Sequence, residues 1–130
     1  MKFLKFAEFI NTDLLFESIK NISVLKKYRK ELNKLGITLT FEETAQNTLL
    51  IKIIEVPAEL RGTGEGKRAM NSVIQWADDN KIILHLTPAG GSIKSRKWLV
   101  SFYSNFGFIV NKRDTKDYIE DLHYMYRLPK

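Results

Sequence analysis

The stretch Val56-Pro57-Ala58-Glu59-Leu60-Arg61-Gly62-Thr63-Gly64-Glu65-Gly66-Lys67-Arg68 lies between a β-branched run and an amphipathic one, and its reading decides how the chain folds. Pro57 has no backbone N–H, so a strand arriving at Val56 loses its ladder there. Gly62, Gly64 and Gly66 then alternate, which lets a backbone free of Cβ atoms come close to a ligand. Beyond them, Ala69, Met70, Val73, Ile74 and Ala77 recur at helical spacing and predict a helix over residues 65–79. The first turn of that helix offers N–H groups without intrahelical partners, at the positive end of its dipole. Arg61, Lys67 and Arg68 add cationic charge. Strand, glycine turn and helix thus make an anion cradle, in which a pyrophosphate would be held by main-chain amides.

Working outward, residues 37–43 and 48–56 are β-branched or alternating and are separated by Ala45, Gln46 and Asn47, which predicts an antiparallel hairpin ahead of the glycine turn. Before it, apolar residues from Asn11 to Leu35 fall at helical spacing. They divide into two helices, with Asn11 to Asp13 and Ser23 as cap candidates and Gly36 as the stop. Residues 2–9 fit neither period. After the central helix come a short strand over 81–87, a loop at Gly90 and Gly91, and a helical stripe of Trp98, Leu99, Phe102, Tyr103 and Phe106 closed by Gly107. Two last strands are expected over 108–111 and 122–128. This order implies an α/β (α+β) fold, a mixed sheet with helices on its faces.

The chain has 130 residues, which fits one domain over residues 1–130, and it shows no repeat or low-complexity linker. With 44% hydrophobic and 28% charged residues it has the composition of a folded globular protein. Lys and Arg exceed Asp and Glu by 21 to 15, a formal charge of +6 that favours anionic partners. Cysteine is absent, which excludes disulfide scaffolds, thiolate metal sites and a cysteine nucleophile; no metal is expected. No apolar run is long enough to span a bilayer, and Lys2, Lys5 and Glu8 interrupt the first ten residues, so a soluble cytoplasmic protein without membrane contact is expected. Nothing in the sequence signals an oligomeric state.

Several nucleotide motifs share the ingredients of the glycine turn. A Walker loop fails because Arg68 follows Gly66-Lys67 and position 61 is arginine. The dinucleotide pattern fits Gly64 to Ala69, but that fold needs an acidic residue about 20 positions on, and no Asp or Glu occurs between Lys81 and Arg113. Arg61, Gly64 and Gly66 do resemble the acetyl-CoA loop of the Gcn5-related N-acetyltransferase family, Arg or Gln, two residues, Gly, one residue, Gly or Ala. A helix ending in Tyr103-Ser104-Asn105-Phe106-Gly107-Phe108 resembles the family's Tyr-x-x-x-Gly-Phe ending. The resemblance covers residue 37 to the C-terminus and suggests a small stand-alone member like those of bacterial and phage genomes.

The resemblance implies a mostly antiparallel mixed sheet with a splayed central strand pair. It implies acetyl-CoA as cofactor, CoA as product, and transfer of acetyl to a primary amine of a protein or small molecule. On the matching positions, the backbone of Val56 and Ala58 would meet pantetheine, with an N–H near Val56 serving the oxyanion. Arg61 belongs to the motif, and Gly62, Gly64, Glu65, Gly66 and Lys67 would surround the pyrophosphate. Tyr103 would be the acid that protonates the departing thiolate.

A general base is not legible in the sequence. Strict two-residue alternation puts Leu50, Lys52 and Ile54 on the face of Val56 and turns Glu55 away as a structural residue. Lys52 would act only if desolvated. His85, His123 and Glu43 read more readily as satisfied strand residues. Arg96 stands where the family often has asparagine; it, Lys94 and Lys97 offer either a phosphate contact or an ordinary solvated face. Two other readings remain open at this point. One is a nucleic-acid-binding module, favoured by the positive charge. The other is a degenerate coenzyme-binding relative without turnover, favoured by the missing carboxylate.

Overall fold

A computed structural model of the chain describes Ile19, residues 21–89 and residues 95–130. The segment over residues 2–9, the body of the first expected helix with its caps at Asn11 to Asp13, and Gly90, Gly91 and Lys94 lie outside them. Three helices and a five-stranded sheet are formed by the described residues. In chain order they are α1 (Ile22–Lys34), β1 (Thr38–Ala45), β2 (Thr48–Glu55), a 3-10 turn (Ala58–Leu60), α2 (Glu65–Asp79), β3 (Ile83–Leu86), α3 (Arg96–Ser104), β4 (Ile109–Val110) and β5 (Met125–Arg127).

The sheet runs β1-β2-β3-β5-β4. Only β2 and β3 are parallel, as the helical crossover through α2 requires; the other neighbours are antiparallel. The parallel pair is brief. Thr48, Leu49 and Leu50 pair with Ile83, Leu84 and His85, and from Ile51 onward β2 runs free of β3. This is the expected splay, and it opens on the glycine turn.

Helix α2 matches its predicted bounds because its apolar stripe is unambiguous: Ala69, Met70, Val73, Ile74, Trp76 and Ala77 are all buried. They meet Leu39, Leu49 and Leu84 of the sheet and Leu25 and Leu32 of α1 in one core, where each large apolar side chain contributes roughly 1.5–3 kcal/mol. Helix α1 begins differently from expectation. Ser23 lies inside it, and the cap is Asn21 in the left-handed region at φ 63°, with no side-chain capping bond. Asn21 is held instead by tertiary bonds: its Nδ2 donates to Asn80 Oδ1 at 2.7 Å, and its carbonyl accepts from Trp76 Nε1 at 3.1 Å.

The hairpin turn is tighter than the three separating residues suggested. Ala45 pairs with Thr48, leaving Gln46 and Asn47, the latter at φ 54°. Strands β4 and β5 are shorter than predicted because side chains replace the ladder between them. Asn111 Nδ2 donates to the carbonyls of Ile119 and Leu122, and Asn111 Oδ1 accepts from Ile119 N–H. The C-terminal strand is tied down by Arg127, 4% exposed, which reaches both carboxylate oxygens of Asp78 at 2.7 and 3.1 Å and the carbonyl of Phe106 at 2.8 Å. Among the described residues no helix is long and apolar enough to cross a membrane.

His85 on β3 is 1% exposed and lies edge-on to His123 at 5.0 Å. Its Nδ1 accepts from His123 N–H at 3.1 Å, so the proton sits on Nε2, which donates to Thr44 Oγ1 at 3.0 Å. Burial first, and the neighbouring His123 second, push the His85 pKa down from 6.5 to about 4. Below pH 6.5 the unfolded chain therefore takes up a proton that the native one refuses, and stability is lost as pH falls toward 4, by about 3 kcal/mol in all. Asp78 acts at lower pH. Its hydrogen bonds from Arg127 hold its carboxyl below the usual range, so its contribution is present above the ordinary aspartate pKa and fades only below it. Urea unfolding at pH 7 and pH 4.5 should show the His85 loss; equal stability at the two values would contradict it.

Candidate active site

The cavity opens where the sheet splays and encloses about 860 Å³, within the roughly 300–1,000 Å³ of small-molecule and cofactor sites. Ile54, Glu55 and Val56 form its sheet wall. Leu60 to Gly64, Gly66 and Lys67 form its turn wall, and Leu99, Phe102 and Trp98 of α3 face them.

The turn wall takes its shape from backbone conformation. Gly62 and Gly64 have φ of 83° and 90°, left-handed values that cost an L-residue roughly 1–2 kcal/mol. Gly66 serves another purpose: an added Cβ would stand 3.3 Å from Val56 Cγ2, so its bareness allows α2 to start hard against the end of β2. Gly64 is the N-cap of α2 and supplies no side-chain cap. Consequently the N–H groups of Gly62, Gly64, Glu65, Gly66 and Lys67 find no hydrogen-bond partner among the described residues. Five donors on one turn, at the positive end of a 15-residue helix, fit a diphosphate.

Side chains brace this turn. Arg61 Nε donates to the Val56 carbonyl at 3.1 Å, and Thr63 Oγ1 donates to the Leu60 carbonyl. Arg68 NH2 reaches Glu65 Oε2 at 2.8 Å, and this hydrogen bond lowers the Glu65 pKa. Arg68 charge is thus largely answered by Glu65, whereas Arg61 and Lys67, both on the cavity wall, have no ion pair among the described residues. The Val56 N–H has no backbone partner among the described residues. Ala58 stands off the wall, opening the 3-10 turn, with its carbonyl taken by Arg61 N–H at 3.2 Å.

Tyr103 sits behind the wall. It is 8% exposed, edge-on to Phe102 at 5.3 Å and to Phe108 at 5.8 Å, and burial raises its phenol pKa. A raised pKa keeps the proton on the hydroxyl through the neutral range.

Glu55 is exposed while Ile54 and Val56 on either side of it pack against the core. Thr40 pairs with Ile53 and Phe41 with Ile51, so Lys52 is the extra residue of a β-bulge. The bulge changes how residues before it face relative to those after it, and leaves Glu55 opposite in face to Ile54 and Val56; all three border the cavity at the open end of the strand. The other base candidates are engaged elsewhere. Lys52 is exposed and 3.5 Å from Glu42, so the desolvation that it would need is lacking. Glu43 accepts the Ile19 N–H at 2.6 Å, His85 has both ring nitrogens bonded, and His123 Nδ1 is 3.0 Å from Thr87 Oγ1. Arg96 Nε donates to the Pro88 carbonyl at 3.0 Å and its guanidinium covers the Tyr124 ring at 5.0 Å, which ties the end of β3 to α3.

No protein-family model and no curated protein matches the sequence. Solved structures do match the fold. An acetyltransferase of the GNAT family from Staphylococcus aureus is 24% identical, with a TM-score of 0.49 over 72% of this chain and 60% of that one. Tetrahymena Gcn5 is 16% identical at a TM-score of 0.49, with the same coverage. The chain is similar to Gcn5-related N-acetyltransferases. Arabidopsis thaliana Naa50, solved with the bisubstrate analogue CoA-Ac-MVNAL, is 22% identical at a TM-score of 0.42, over 71% of this chain and 60% of that one. The chain thus spans about 60% of the length of these structures.

Proposed function

We propose that the protein is an acetyl-CoA-dependent N-acetyltransferase acting on a primary amine of a protein or small molecule. The observation that carries this reading is the set of unpartnered amides at Gly62, Gly64, Glu65, Gly66 and Lys67, four of them on residues that line one cavity with the end of β2 that is free on its β3 side. Acetyl-CoA, when bound, supplies an activated acetyl thioester.

In this reading Gly62, Gly64, Glu65, Gly66 and Lys67 hold the diphosphate through their N–H groups, and the Lys67 ammonium draws it in. Arg61 occupies the Val56 carbonyl and so fixes the angle at which the turn leaves the strand. The free length of β2 offers backbone groups to an extended pantetheine arm, as an added strand would. The Val56 N–H donates to the oxygen on which negative charge develops. Glu55 accepts the proton of the amine, directly or through a water, because a lysine with pKa near 10.4 is otherwise almost wholly charged at neutral pH. The Tyr103 phenol holds the proton for the departing sulfur.

The test is ligand-linked stability. At a concentration 100 times its Kd, acetyl-CoA should stabilise the native state by about 2.7 kcal/mol, several degrees in melting temperature. No shift at millimolar acetyl-CoA would contradict the reading.

A further inference from the structure

Trp98 is 44% exposed although it belongs to an aromatic stripe. Phe102 stacks on it in parallel, with centroids 5.3 Å apart and planes 12° from each other, so the indole is held in a fixed orientation. It stands on the same cavity as the amide row of Gly62 to Lys67, near the start of α3, whereas Tyr103 is near its end. The two are roughly 7.5 Å apart along the helix axis, at 1.5 Å rise per residue. A fixed aromatic plane sharing a cavity with a backbone cradle for phosphate is the chemistry of nucleotide recognition, since every base presents a π-face.

We propose that Trp98 is the platform on which the adenine of the coenzyme stacks. The inference rests on the acetyl-CoA reading and adds a binding residue to it. With the thioester end toward Tyr103 and the diphosphate on the amides, the nucleotide end lies toward the start of α3, where the indole is.

The experiment compares CoA with S-acetylpantetheine, which has neither diphosphate nor base, by calorimetry on wild type, Trp98→Ala, Trp98→Leu and Trp98→Phe. CoA should bind about tenfold more weakly to the alanine and leucine variants and less than about threefold more weakly to the phenylalanine variant, while acetylpantetheine binds all four alike. Leucine keeps bulk against Phe102, so the comparison stands even if the alanine variant does not fold. Of the two tryptophans, Trp76 is 8% exposed and bonded to Asn21, so fluorescence quenching by CoA in the wild type reports Trp98. Unchanged CoA affinity in the leucine variant, or equal weakening of both ligands, overturns the stacking role alone. A wild type that binds no CoA overturns the acetyl-CoA reading and the stacking role with it.

Discussion

Gly64→Asp is expected to weaken acetyl-CoA binding by more than about 100-fold and to abolish the melting shift that the coenzyme produces. Two causes act together. Gly64 holds φ 90°, so any side chain strains the turn by roughly 1–2 kcal/mol and tilts the first amides of α2. A carboxylate at the N-cap also satisfies those amides itself and repels the diphosphate, and like-charge juxtaposition costs several kcal/mol. The nearest atom to an added Cβ is Arg68 NH1 at 4.0 Å, so there is room for the side chain and the protein should still fold. Gly64→Ala separates the causes: it shares the strain and lacks the charge, and it should retain most of the affinity. Calorimetric titration of both variants is the check, and an aspartate variant that binds like wild type would remove the diphosphate from this turn.

Tyr103→Phe is expected to lower kcat by about 100-fold while leaving coenzyme affinity within about twofold. General acid catalysis contributes roughly 10²–10⁴-fold, and the phenol is the only group removed. The ring keeps its edge-on contacts with Phe102 and Phe108, so the fold should be unaffected. Burial holds the hydroxyl protonated, the state that an acid must be in before it acts. Thiol release from acetyl-CoA with spermidine and lysine-peptide acceptors measures kcat and KM together. Unchanged kcat would return Tyr103 to the core as one more aromatic, and a loss confined to coenzyme KM would make it a packing residue of the cavity.

Much of this was readable in advance where one signal dominated. The bounds of α2 follow from an unbroken apolar stripe between Gly64 and Asn80, whereas the splay is implied by the family resemblance and begins at Ile51, well before Pro57. That the first turn of α2 leaves N–H groups without partners follows from where the glycine spacing puts the helix start. Other features depend on tertiary detail that leaves no periodic trace. The bulge at Lys52 is a register shift between β1 and β2, so alternation counted along β2 alone cannot carry the face of Leu50 across it to Ile54 and Val56. The cap of α1 is Asn21 and not Ser23 because Asn80 and Trp76, almost 60 residues away, bond to it. Strands β4 and β5 stop early because Asn111 spends its side chain on the intervening loop. Trp98 has the spacing of a core residue, yet it is 44% exposed and stands on the cavity wall across from the glycine turn.

The most direct measurement of the central claim is amide chemical-shift mapping in ¹⁵N-labelled protein. On titration with CoA, the resonances of Gly62, Gly64, Glu65, Gly66 and Lys67 should move together and saturably, and with S-acetylpantetheine they should stay where they are. Amides in this turn that do not respond to CoA, while resonances elsewhere do, would contradict the account.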